Sequence, residues 1–170
     1  MFRRLCLLHK TPLNSSFRQD RGREMALQHP NMTVAHRQLT AKERQVLEKP
    51  VLVHVGIVLP DGTPHVSAMW VDLAGEDIIL NTAEGRTKAN ILRLGSPVAL
   101  SVLDPENPYR NLGLRGRVVQ VISEEQGAGA GINRLAKKYL GVDEYPYRTA
   151  GERRVQFRVR PEVVSGWGKD

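Results

Sequence analysis

Residues 51–82 read VLVHVGIVLPDGTPHVSAMWVDLAGEDIILNT, and the fold turns on this stretch. Residues 51–59 are β-branched and apolar, as a strand requires. Asp61-Gly62 is a strong hairpin signal, because glycine supplies the positive φ of a tight turn. Residues 64–72 return as a second strand, Ala74–Asp77 turns again, and Ile78–Thr82 forms a third. Parallel strands need long crossovers, so three strands joined this tightly predict an antiparallel meander. In that register, Ser67–Trp70 is expected to pair with Ile78–Thr82. Alternation places Ser67 and Met69 on one face and Ala68 and Trp70 on the other. It also puts His54 on the face opposite Val53, Val55 and Ile57.

Outward from the meander, the elements stay short. Thr40 and Glu43 have capping-box spacing for a helix that Pro50 stops. Residues 87–94 have helical spacing and end at Gly95-Ser96-Pro97. Val98–Asp104 predicts a fourth strand, 105–108 a loop, and Asn111–Ile122 a long fifth strand with a bend at Gly116. A helix follows from Ser123-Glu124-Glu125 to Leu140-Gly141, and Arg153–Arg160 alternates as a sixth strand. Six antiparallel strands with three short helices predict a mainly β protein, a six-stranded split β-barrel whose closure removes exposed edges.

Composition excludes several classes. No apolar run reaches the roughly 18 to 20 residues of a membrane helix, so a soluble, cytoplasmic protein without membrane partners is expected. Residues 1–50 carry ten Lys/Arg against four Asp/Glu, while 51–170 carry fifteen against fourteen. The net charge of +7 is therefore concentrated at the N-terminus, and the nearly neutral body offers no basic face for nucleic acid. Residues 1–31 read as a basic, disordered extension, dispensable for folding and binding, ahead of a coenzyme-binding barrel over 32–170. Their Arg-rich, acid-poor composition also suits a transit peptide, and Met25 and Met32 are alternative starts. Cys6 is the only cysteine, which rules out an intrachain disulfide and a thiolate metal site, and the five histidines have no metal spacing.

The stretch Asn81-Thr82-Ala83-Glu84-Gly85-Arg86-Thr87-Lys88 carries the chemistry. It joins a strand to a helix start, where free amides and a partial positive charge usually attract acidic side chains. Here Arg86 and Lys88 stand instead. Two cations beside open amides suit an anion, phosphate best, and Thr82 and Thr87 add hydroxyls. A solvated basic turn would have the same composition. Trp70 reads either as barrel core or as a ring-stacking platform.

The runs GTPHVSAMWVD, IILNTAEGRTKANILRLGSPVALSVLDPENPYRNLGLRGRVV and GERRVQFRVRPEVV resemble the pyridoxamine-phosphate-oxidase-like split β-barrel proteins, and among them the deazaflavin-dependent oxidoreductases, over about residues 40–165. The resemblance implies a homodimer with coenzyme sites at its interface, binding coenzyme F420 or, alternatively, FMN. It puts the phosphate on Arg86 and Lys88, with Thr87 alongside. Val66, Ser67, Met69 and Trp70 would lie along the ring, with Asn81 and Thr82 flanking the phosphate or the chain leading to it. Asn111 matches a position where related flavin oxidases place a longer glutamine from the other subunit. The basic C-terminal motif of true pyridoxamine phosphate oxidases is missing, which argues against vitamin B6 oxidation. The resemblance thus implies an F420-dependent oxidoreductase moving hydride to or from a small organic substrate, with no catalytic side chain evident. An FMN oxidase or flavin reductase of the same fold, or a non-catalytic coenzyme carrier, are the other readings.

Overall fold

The computed structural model describes residues 37–167, so the 1–31 extension lies outside the described residues. Helix α1 (Ala41–Glu48) begins as its capping box dictates: the Thr40 amide donates to Glu43 Oε2 at 2.9 Å, and the Glu43 amide donates to Thr40 Oγ1 at 3.3 Å. Seven strands follow rather than six: β1 (Val53–Val58), β2 (Pro64–Met69), β3 (Val71–Ala74), β4 (Asp77–Ala83), β5 (Pro97–Asp104), β6 (Asn107–Ile122) and β7 (Arg154–Trp167). Helix α2 is only Thr87–Ile91. A π-type turn over Glu124–Ala128, kinked at Gly127, leads into α3 (Gly129–Leu140), which ends on left-handed Gly141.

All strand pairs are antiparallel, in the order β2-β1-β5-β6-β7-β4-β3. This corrects the expected meander. The segment 64–74 supplies both ends of the order: β2 pairs with β1, and β3 pairs with β4. Ser67–Met69 therefore lies opposite Val53–Val55, not Ile78–Thr82. The two ends are joined by the single residue Trp70, so the sheet curls round on itself as a split barrel. β2 pairs only with β1 and β3 only with β4 among the described residues, so the barrel stays split at these two edges rather than closing them as expected.

Inward alternation fills the barrel with aliphatic side chains. Val53 and Val55 from β1 meet Leu100 and Val102 from β5, Leu112 and Leu114 from β6, and Phe157 and Val159 from β7. The β6 strand bends where β-pairing to β7 shifts register at Arg115/Gly116. A Cβ on Gly116 would stand 2.2 Å from the Arg160 carbonyl oxygen, so only glycine lets the two backbones cross this closely. The expected loop at 105–108 is a tight turn, with β6 resuming at Asn107. Among the described residues, no helix is long and apolar enough to cross a membrane.

Candidate functional site

A cleft of about 620 Å³ opens where β2 gives way to β3. One wall is β2 itself, with Ser67, Met69 and Trp70; another is the end of β4, with Asn81 and Thr82; the turn into α2 adds Arg86, Thr87 and Lys88. Eight of the ten residues expected from the sequence thus come together. Val66 and Asn111 do not line the cleft: both belong to the outer face of the sheet, with Val66 62% exposed.

At the α2 end the site is cationic. Gly85 (φ 80°) turns the chain out of β4, and α2 starts at Arg86 without a side-chain cap. Five residues make too short a helix for a large dipole, so the positive potential here comes chiefly from the two cations. Arg86 is exposed, while Lys88 is only 9% exposed and donates a hydrogen bond to Ser67 Oγ on β2. Among the described residues, no carboxylate forms an ion pair with either. Burial pushes the Lys88 ammonium below its ordinary pKa, and the neighbouring Arg86 charge lowers it further. A buried ammonium without a counter-ion is an arrangement that a bound anion relieves.

At the other end the wall is aromatic. Trp70 is half-buried and stacks on Tyr139 at 4.8 Å and 12°. The Tyr139 hydroxyl accepts from the Val71 amide at 2.9 Å and donates to the Val51 carbonyl, tying the start of β3 and the segment ahead of β1 to α3. Tyr145, from the loop after α3, meets Trp70 edge-on at 5.8 Å. Trp70 is therefore neither sealed core nor free platform: one face is held by Tyr139, while the residue still borders the cleft.

Asn81 is a structural hub as well as a wall residue. Its Nδ2 donates to the Ala128 carbonyl at 2.8 Å, and its Oδ1 accepts from Arg154 Nε at 2.9 Å. With both ends of the amide engaged, it joins β4 to the start of α3 and to β7. Thr82 is buried beside it. The sequence reading missed His65, Tyr145 and Arg154 in the lining. His65 shares strand parity with Ser67 and Met69, a signal that could have found it. Tyr145 sits in a loop and Arg154 at a strand start, with no local pattern to mark either.

A curled antiparallel barrel with a basic cleft at its seam defines a class, and residues 39–168 match the pyridoxamine 5'-phosphate oxidase family: the chain belongs to that family. Within this frame it is similar to a solved F420 reductase, at 35% identity over 75% of this chain and 98% of the other, with a TM-score of 0.63. Two more distant structures share the fold. They are the conserved hypothetical protein Rv2991 from Mycobacterium tuberculosis (19% identity, 78% and 86% coverage, TM-score 0.58) and a candidate pyridoxamine 5'-phosphate oxidase from Listeria innocua (17%, 74% and 94%, 0.53). The chain matches no curated protein.

Proposed function

We propose that this protein is an F420-dependent oxidoreductase, working as a homodimer. The carrying observation is the buried, acid-free cation at Lys88, with Arg86 beside it, in a cleft whose far wall is aromatic. A phosphate suits the cationic end, since arginine and lysine both donate charge-assisted hydrogen bonds to its oxygens. The 35%-identical F420 reductase favours a deazaflavin over FMN, although the cation pair would hold the phosphate of either. When bound, the deazaflavin ring supplies the hydride chemistry. The chain's own part is to anchor the phosphate through Arg86, Lys88 and the Thr87 hydroxyl, to orient the ring along β2, and to keep water from the Trp70 wall. No side chain need take a proton for that role.

The outer face of the sheet supports the dimer. Val66, Gly56 and Ala99 lie in one cross-strand row, and Ala68, His54 and Ser101 in the next. Apart from His54 these residues are small or apolar, and all but the half-buried Gly56 are exposed on the described chain, as a face covered by a second copy would be. β2 contributes both to this face and to the cleft. Asn111, on the same face opposite Leu103, would then act in the partner's site rather than its own.

The test is turnover. Reduced F420 mixed anaerobically with the protein and a panel of organic acceptors should regain the oxidised deazaflavin absorbance only when the protein is present. Retention of the coenzyme without oxidation by any acceptor would make the protein a carrier. Turnover with reduced FMN alone would move it to the flavin side of the fold.

A further inference from the structure

The coenzyme reading leaves one cation of the cleft without a task. Arg154 is 3% exposed, yet it borders the cleft at the aromatic end. Its guanidinium is fixed in advance. Nε donates to Asn81 Oδ1 at 2.9 Å, Nη1 donates to Glu152 Oε1 at 2.8 Å, and the Asn81 amide is itself anchored on the Ala128 carbonyl. The group lies 5.5 Å from the centroid of the Tyr145 ring. Its second amino nitrogen, Nη2, donates to no acceptor among the described residues and is not sealed from solvent.

We propose that Arg154 is a second anion station, which recognises the carboxylate of a planar, conjugated acid that serves as the substrate. Three features support this assignment. Two of the three guanidinium nitrogens are already taken, and a carboxylate oxygen is a charge-assisted acceptor suited to the third, Nη2. No Asp or Glu lines the cleft, so an acid meets no like charge inside it, and Glu152 is already committed to Nη1 from outside the lining. Tyr145 and Trp70, edge to face beside Arg154, offer apolar ring surface to a flat ligand. The partition of the cleft rests on the coenzyme reading, which assigns Arg86 and Lys88 to a different anion.

Calorimetric titration of the full chain with 2-naphthoate and with its uncharged isostere 2-naphthamide tests the assignment. The acid should bind about tenfold tighter or more than the amide, the range of one charge-assisted hydrogen bond. Arg154→Met should abolish that preference, and Arg154→Lys should restore part of it. Because Arg154 also braces Asn81, its loss could unfold the protein, so Glu152→Gln is the second arm. Removing the competing carboxylate should strengthen naphthoate binding, and unchanged or weaker binding there overturns the proposal. Equal affinity for acid and amide also overturns it. A preference abolished by Lys88→Met and kept in Arg154→Met would place the acid at the phosphate end, which sinks this assignment and leaves the anion site standing. Failure of the coenzyme reading would show separately, as absence of F420 and FMN binding whatever naphthoate does.

Discussion

Replacing Lys88 with methionine separates a binding role from a structural one. Methionine keeps an unbranched stem of similar reach and removes the charge. In the free protein the ammonium is desolvated, lies near Arg86, and has no carboxylate partner, so its pKa falls below the unfolded value. For a base depressed on folding, the unfolded state binds the proton more strongly. The cost is therefore fully present at pH below the folded pKa, and is relieved as pH rises toward the unfolded value. Lys88→Met removes that cost at neutral pH. Against it stands the charge-assisted hydrogen bond to Ser67 Oγ, worth roughly 1.5–3 kcal/mol where water is excluded and largely replaceable by water in an open cleft. The melting temperature should therefore hold or rise. Coenzyme binding should move the other way. A charge-assisted hydrogen bond contributes about 1.5–3 kcal/mol, so the affinity for F420, read by coenzyme fluorescence, should fall by about ten- to a hundredfold. A sharp drop in melting temperature with unchanged affinity would refute this reasoning and make Lys88 a structural residue.

Three further outcomes follow from the same geometry. Gly116→Ala should destabilise the barrel by about 1–3 kcal/mol, because its Cβ would meet the Arg160 carbonyl rather than a movable side chain; unchanged denaturant stability would contradict the crossing as described. Asp77 is almost wholly buried; burial raises its pKa, but the Arg160 hydrogen bonds and charge, with Arg158, outweigh this and hold it below the ordinary carboxylate range. Its stabilisation is present above the unfolded value near 3.9 and is lost as pH falls through the lowered folded value, so Asp77→Asn should flatten the acid limb of a stability profile below about pH 4. Sedimentation should give twice the chain mass of 19.0 kDa, and Ala99→Arg on the outer face should give the monomer; a wild-type monomer at micromolar concentration would remove the dimer.

The local signals in the sequence were sound, and the errors arose where information is not local. The capping box at Thr40, the Asp61-Gly62 hairpin, the bend at Gly116 and the opposite face of His54 all stand in the structure. The strand expected over 64–72 hid a change of partner. His65, Ser67, Met69, Val71 and Leu73 keep one parity straight through Trp70, so alternation continues while pairing passes from β1 to β4. Periodicity records which face a residue takes, not which strand lies beside it. The site divides in the same way. Arg86, Thr87 and Lys88 are adjacent in sequence and could be read as a unit. Arg154, Tyr139 and Tyr145 reach the same cleft or its wall from β7, α3 and the loop between them, and only the fold brings them to Trp70 and Asn81.

The central claim is that this cleft holds a phosphorylated deazaflavin between the Arg86–Lys88 pair and the Trp70 wall. Direct titration of the purified full chain with F420, with FMN as comparison and inorganic phosphate as competitor, tests it most simply. The account predicts saturable F420 binding at one per chain, tighter than FMN, weakened by phosphate and quenching the tryptophan fluorescence. No saturable binding of either coenzyme, or binding indifferent to phosphate, would contradict it.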